Sequence, residues 1–409
     1  MKTLLIDDEP FMLELLTRQL RNLGIKAISS HQRAYDALAV LQHDLNGIEL
    51  VFCDLQMPHI DGVEFVRHLA DIGYPGGLVL MSGEDNRVLQ AAERLAKAHN
   101  LNIVGILRKP VSMDHLRALL ACKLANTAKA ESLASTTYTA EELQKAITDG
   151  NLVNYYQPKV DLASGAVLGV ETLVRWQHPQ DGLISPDQFI PIAEEHDLID
   201  HLTLTVLTAA LHQGGQWRAA GLDLQIAVNV SMHNLVTLEF PDLVEQAVRA
   251  ARLPLSNLIL EVTESRLMSD PLASLDILAR LRLKHIGLSI DDFGTGHSSL
   301  VQLRDIPFNE LKVDRGFVHG ACHDASLRAI FEASLSMGRQ LGMKIVAEGV
   351  EDDADWAFLR ASGCDVAQGY YIAKPMPAGQ LFSWLNKWEK RRKEIVTEDN
   401  PLFNTTVDA

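Results

Sequence analysis

The sequence predicts an α/β protein of two modules: an N-terminal doubly wound (βα)5 parallel sheet and a C-terminal (β/α)8 TIM-like barrel. Three observations carry this. The first 120 or so residues hold five short apolar runs, each followed by an amphipathic helical stretch. From Tyr138 onward, apolar runs of strand length keep ending in one polar residue of a chemically useful kind, with helices between them. Separating the two patterns is ANTAKAESLASTT, Ala125 to Thr137, which is small, polar and rich in Ser and Thr. The expected boundaries are 1–122 for the first module, 123–137 for a linker, 138–395 for the barrel and 396–409 for a flexible tail.

In the first module the strands read TLLID, KAISS, IELVFCD, GLVLMSG and NIVGILRK. The helices between and after them are Met12 to Leu23, Ala34 to Gln42, Val63 to Asp71, Arg87 to His99 and Met113 to Lys123. A doubly wound sheet binds its ligand at the carboxyl ends of the strands. Asp7 and Asp8 end the first strand, Asp54 the third, Ser82 the fourth, and Lys109 the fifth. Three clustered carboxylates repel one another and call for a Mg²⁺. Together with a hydroxyl and an ammonium they form a set that accepts and holds a phosphoryl group.

In the second module, VLGVE ends at Glu171, LQIAVN at Asn229, LILE at Glu261, and IGLSIDD at Asp291 and Asp292. NELK ends at Lys312, MKIVAE at Glu348 and CDVAQ at Gln368. Barrel enzymes keep their chemistry at these strand ends. Hard oxygen donors without Cys or His at those positions suit Mg²⁺ or Mn²⁺ better than zinc. Two such ions form the usual clamp on a phosphodiester, with one of the adjacent aspartates bridging them. Lys312 is placed to hold the attacking water and Glu348 to take its proton.

Composition narrows the function classes. The chain has 409 residues and a formal net charge of −16, which repels nucleic acid and anionic membrane. The basic run KWEKRRKE, Lys387 to Glu394, reads as a solvated helix face. No run is long enough to span a bilayer, the N-terminus lacks a secretory pattern, and the four cysteines, Cys53, Cys122, Cys322 and Cys364, are scattered. The expectation is a cytoplasmic protein with reduced thiols, no DNA partner and no membrane span. His319, Cys322 and His323 in HGACH have zinc-like chemistry but lack a fourth ligand nearby, so a plain loop or helix start is expected there.

The motifs IDDE, DLQMPHIDG, MSG and RKP closely resemble those of response-regulator receiver domains, which share the flavodoxin-like fold. That resemblance implies phosphorylation of Asp54 by a cognate sensor histidine kinase, one Mg²⁺ held by Asp7 and Asp8, and phosphoryl contacts from Ser82 and Lys109. Ile106 departs from the pattern, because a switch aromatic usually stands there. The motifs ETLVRW, YYQPKVD, NVS, LEVTES, DDFGTGHSSL, LKVDR, AEGVE and AQGYYIAKP resemble, in order, those of EAL-type cyclic di-GMP phosphodiesterases. The resemblance covers Tyr138 to Lys390 and implies a barrel with one antiparallel strand that hydrolyses cyclic di-GMP to linear pGpG. It implies two Mg²⁺ or Mn²⁺ ions on Glu171, Asn229, Glu261, Asp291 and Asp292, with Lys312 and Glu348 catalytic. Arg175 would contact a substrate phosphate, Gln368 would support the substrate or the metal-water shell, Glu264 would brace the DDFGTGHSS loop, and the barrel would form a homo-dimer or higher homo-oligomer; Gln157 in YYQP either contacts a guanine of the substrate or closes a turn. Thr172 and His297 depart from the usual Ala and Tyr. The alternative reading is a non-catalytic cyclic di-GMP-binding effector acting through protein contacts; a transcription regulator finds no helix-turn-helix to support it.

Overall fold

A computed structural model gives the fold and describes residues 1–83, 86–99, 101–113, 115–117, 119–120, 138–263, 271–294 and 300–398. The chain divides into two compact units, Met1–Thr136 and Thr137–Ala409. The expected linker, most of the expected tail, Glu264 and His297 lie outside the described residues.

The first unit is a five-stranded sheet of β1 (Lys2–Ile6), β2 (Ala27–His31), β3 (Leu50–Asp54), β4 (Gly77–Ser82) and β5 (Asn102–Arg108). Its order is β2-β1-β3-β4-β5, and every pairing is parallel. Strand alternation sends side chains to both faces, and both faces are apolar. Leu4, Ile6, Val51 and Cys53 pack with Ala37, Leu41 and Phe65 from the helices Ala34–His43 and Gly62–Asp71. Leu5, Phe52 and Val79 pack on the opposite face with Leu13, Leu16 and Leu20 from the helix Pro10–Asn22. The strand order reverses at β1, so the ends of β1 and β3 form the crevice where such folds place their site.

The second unit is a closed eight-strand barrel. Its strands are β6 (Leu152–Asp161), β7 (Val167–His178), β9 (Gln225–Val230), β10 (Leu258–Thr263), β11 (Gly287–Phe293), β12 (Glu310–Val313), β13 (Lys344–Ala347) and β14 (Val366–Ala367). Two short strands, β8 (Gly182–Ile184) and β15 (Met376–Pro377), extend β7 and β6 outside the closure. β6 runs antiparallel to both of its neighbours, β7 and β14, while the other barrel pairings are parallel. The apolar-run pattern exposes seven of these strands; the eighth, β6, carries the YYQPKVD motif and closes the ring. Before it, Thr139 caps the helix Ala140–Thr148 in a reciprocal box with Glu142, which fixes where the barrel module begins its regular structure.

The last helix, Leu381–Glu398, runs three residues past the expected barrel end at 395. Its basic run is not simply a solvated face. The Arg391 guanidinium lies 4.1 Å from the Tyr371 ring centroid and 5.7 Å from that of Trp388, and it donates to the Tyr371 carbonyl at 2.6 Å. The helix thereby clamps the segment that follows Gln368.

Candidate active site and phosphoacceptor site

In the first unit, Asp7 and Asp54 are buried at adjacent strand ends, and the Lys109 ammonium lies 2.8 Å from Asp7 Oδ2 and 2.9 Å from Asp54 Oδ2. Asp8 is exposed, yet one carboxylate oxygen from each of Asp7, Asp8 and Asp54 falls within a 4.8 Å group that could hold a cation. Burial raises the Asp54 pKa, partly opposed by Lys109. Burial would lower that of Lys109, but Asp7 and Asp54 raise it on balance. Ser82 is buried one strand over, and its carbonyl accepts from the Lys109 amide at 2.9 Å. Gly62 follows from packing: a Cβ there would meet the Asp54 carbonyl at 2.5 Å. Only glycine lets the helix start press against the strand that ends at Asp54. Ile106, at the position of the usual aromatic, is about two-fifths exposed, at 38%.

The barrel site is built from strand ends on one face. The Lys312 ammonium, 1% exposed, lies 2.7 Å from Glu348 Oε1, 2.9 Å from Glu261 Oε2, 3.0 Å from Asp291 Oδ1 and 3.6 Å from Glu171 Oε2. Four strands therefore deliver carboxylates to one point. Glu171 is also held by amides: Asn229 Nδ2 donates to Oε1 at 2.9 Å and Gln368 Nε2 to Oε2 at 2.6 Å. Gln368 donates as well to Gln157 Oε1 at 3.1 Å, and Gln157 in turn donates to the Ala373 carbonyl. Gly369 makes this arrangement possible, since a Cβ there would meet the Val350 backbone N and O at 2.2 Å.

Adjacent residues of a strand normally face opposite sides, so Asp291 and Asp292 should not act together. A β-bulge resolves this. Between the pairs Ile290↔Leu311 and Phe293↔Val313, β11 contains one residue more than β12. Asp292 takes φ 56°, and its amide donates to Asp291 Oδ1 at 3.0 Å. Oxygens of Asp291, Asp292 and Glu348 form one 4.8 Å group, and those of Glu171, Glu261 and Asp291 a second. Asp291 belongs to both, so the donor set fits two hard cations sharing one carboxylate.

The electrostatics match the crowding. Burial raises the pKa of Glu348 well above the ordinary carboxylate range and also raises that of Glu171, with Lys312 opposing both shifts. Burial would likewise raise Glu261, but Lys312 and Lys159 together hold it below its usual value. Burial disfavours the charged ammonium of Lys312, yet the surrounding acids push its pKa well up.

Among the described residues, Arg175 is the expected barrel-site residue that the structure does not bring into the cluster. It pairs with Val153, four residues along β7 from Glu171, or about 13 Å at strand rise. There its guanidinium donates to the Val174 carbonyl at 2.8 Å and lies 5.9 Å from the Tyr155 ring centroid. Two cavities flank the acids. One, about 280 Å³, is lined by Gln157, Glu171, Asp291, Glu348 and Gln368 together with Arg315, Glu351 and the exposed Tyr370. The other, about 420 Å³, includes Asn229, Thr172, Ser231, Asp187 and Glu194 among its lining residues. The Thr172 hydroxyl is buried and has no hydrogen-bond partner among the described residues. The sequence reading assigned no role to Arg315, Tyr370, Lys159 or Glu310. For Lys159 the signal was present, because it shares strand parity with Gln157. Glu310 stands in the same relation to Lys312.

Among the described residues, His319, Cys322 and His323 of HGACH do not fall into one common group of donors. His319 Nδ1 lies 2.8 Å from Asp355 Oδ2, and Asp355 also accepts from the Gly320 and Glu351 amides. The acid-rich group around His319 contains Asp352 and Asp355 but neither Cys322 nor His323. Asp352 is also occupied, as the side-chain cap of the helix Asp353–Ser362.

Comparisons with known proteins identify relatives of both units. The family model described as response regulator receiver domain matches residues 3–121, and that described as EAL domain matches residues 140–375. The chain is 32% identical to the cyclic di-GMP phosphodiesterase RocR of Pseudomonas aeruginosa, over 92% of this chain and 96% of RocR. It is 46% identical to the bifunctional diguanylate cyclase/cyclic di-GMP phosphodiesterase MucR of the same organism, over 59% of this chain but only 36% of MucR. Among solved structures, the PaMucR phosphodiesterase in complex with c-di-GMP is 47% identical with a TM-score of 0.56, covering 59% of this chain and 98% of that one. Among the described residues, no helix is long and apolar enough to cross a membrane. The chain belongs to the EAL domain family, joined to a response regulator receiver domain.

Proposed function

We propose that the protein is a phosphorylation-regulated response regulator that hydrolyses cyclic di-GMP to linear pGpG. The observation that carries this reading is the convergence of Glu171, Glu261, Asp291 and Glu348 on the Lys312 ammonium. Glu171, Asn229, Glu261, Asp291 and Asp292 would hold two Mg²⁺ or Mn²⁺ ions. Bound there, the ions supply charge neutralisation for the phosphodiester and a lowered pKa for water.

The chain's own groups do the rest. Glu348 takes the proton of the attacking water, and Lys312, its ion-pair partner, orients that water. Gln368 and Asn229 keep Glu171 from rotating, and Gln157 steadies Gln368. Tyr370, exposed beside the acids, offers a ring for a guanine to stack on, and Arg175 meets a phosphate from the rim. Asp54 is the phosphoacceptor, with Asp7 and Asp8 holding one Mg²⁺ and Ser82 and Lys109 receiving the phosphoryl oxygens. Its partners are a sensor histidine kinase and a second copy of this chain. We place the work in the cytoplasm, in keeping with the free thiols of Cys53, Cys322 and Cys364.

The test is turnover. Purified full-length protein with Mg²⁺ or Mn²⁺ should convert cyclic di-GMP to pGpG, read by chromatography of the products. Tight nucleotide binding without conversion, unchanged by Glu348→Ala, would replace this reading with that of a non-catalytic effector.

A further inference from the structure

The interior of a (β/α)8 barrel is normally filled by layers of branched apolar side chains. Beneath the acids of this barrel lies something else. Lys159 is 2% exposed, and its ammonium sits 3.3 Å from Glu261 Oε1 and 3.3 Å from Glu310 Oε1. Glu310 is itself buried, at 5% exposure. In register, Ser289 lies between Glu261 and Glu310, and its buried hydroxyl has no hydrogen-bond partner among the described residues. A lysine buried this deeply is rare unless it is paired.

The pairing has a direction. Glu261 is fully buried, and its two oxygens are divided: Oε2 faces Lys312 and the other acids, and Oε1 faces Lys159. Lys312 stands among four of the site carboxylates, Glu171, Glu261, Asp291 and Glu348, where entering cations would compete with it. Lys159 stands one layer deeper, on the far side of Glu261, and is braced there by Glu310. Were cations to displace Lys312 from Glu261, Lys159 would still occupy Oε1, and Glu261 would be left with a single free oxygen.

We propose that Lys159, braced by Glu310, is a positioning residue that holds Glu261 to one free oxygen and so sets the site's preference for small divalent cations over Ca²⁺. The inference rests on reading Glu261 as a cation ligand. Its chemistry is general. Mg²⁺ and Mn²⁺ accept six compact donors, whereas Ca²⁺ takes up to eight and readily uses both oxygens of one carboxylate. A glutamate with one oxygen occupied by an ammonium serves the first kind of ion and handicaps the second.

The experiment titrates Mn²⁺ and Ca²⁺ calorimetrically into metal-depleted full-length protein. A common D8N/D54N background silences the N-terminal acidic cluster. The barrel variants are E310Q and K159M/E310Q, the latter keeping the deep layer neutral, and each is melted by circular dichroism. E310Q weakens the brace but leaves the Lys159 ammonium on Glu261 Oε1, so it should keep the parent's ratio of Mn²⁺ to Ca²⁺ affinity; an E310Q protein that shifts the ratio as far as K159M/E310Q would overturn the assignment to Lys159. K159M/E310Q should shift that ratio toward Ca²⁺ by about tenfold, the lower end of what partners of metal ligands are worth. A folded K159M/E310Q protein with the parent's ratio would overturn the proposal. So would a crystal of the wild-type chain soaked in Ca²⁺ in which both oxygens of Glu261 ligate, a result independent of how any variant folds. If the parent bound neither ion at the barrel, the reading of Glu261 as a ligand would fail first, and the two failures are thereby distinguishable.

Discussion

Lys312 Nζ lies 2.7 Å from Glu348 Oε1, the shortest of its four contacts with site carboxylates. One side chain is the candidate base and the other the candidate water-orienting cation, so the pair couples the charge state of each to the position of the other. Glu348→Gln keeps the shape and removes the base. Turnover should fall by about 10²–10⁴-fold, the usual worth of a positioned general base. Mn²⁺ binding should persist through the remaining acids. Product chromatography and calorimetry on the same sample check both halves.

The raised pKa values of Glu171 and Glu348 give cation binding a sign in pH. Protonated carboxyls must release their protons before they can ligate, so Mn²⁺ affinity rises with pH, and binding enthalpy varies with the ionisation heat of the buffer. Stability of metal-depleted protein runs the other way. Groups whose folded pKa is raised stabilise the fold at low pH, and that contribution is lost as pH climbs through the raised values. Glu261, whose pKa is lowered, opposes this trend: its contribution is present above the unfolded carboxylate pKa and is lost as pH falls through the folded one. Thermal melts across pH, with and without Mn²⁺, test the crossing.

Gly369→Ala should damage the site without touching an acid. The added Cβ would meet the Val350 backbone at 2.2 Å, and backbone cannot step aside as a side chain does. Overpacking of this kind costs about 1–3 kcal/mol. The strained segment carries Gln368, so turnover should fall beyond what the loss of stability explains. Denaturant melts beside kinetics separate the two effects.

Arg391→Ala removes the guanidinium from the Tyr371 face and from its carbonyl. A cation–π contact contributes roughly 0.5–2 kcal/mol according to burial. The expected result is faster amide exchange over residues 368–373, with near-normal exchange in β9 to β11.

A small-molecule phosphodonor should change turnover of the wild-type protein and leave Asp54→Asn unmoved. Equal response of the two proteins would remove the regulatory half of the proposal.

Much of this was legible in the sequence because both modules place their chemistry at strand ends, where an apolar run stopping at one polar residue is a strong local signal. Seven barrel strands announced themselves that way. β6 did not, because it runs antiparallel and its inward residues, Gln157 and Lys159, fall in mid-strand. Lys159 and Glu310 went unassigned for a related reason. A charged residue inside a strand pattern looks solvent-facing until the closure of the ring shows that its parity points inward. The position of Arg175 was not legible, since adjacency in ETLVRW does not reveal that four further residues carry it along β7 away from Glu171. The letters DD suggest two ligands, but nothing in them discloses the bulge that brings oxygens of both Asp291 and Asp292 close to Glu348.

That bulge means the tandem aspartates cooperate through a defect in ladder register and not through their own spacing. Adding a single residue beside Lys312, between Leu311 and Val313, would put β12 back in step with β11 and restore ordinary alternation. The second acid would then turn away from its neighbour. A relative could lose its chemistry in this way with every acid intact, through an insertion that a residue-by-residue tally of ligands would overlook.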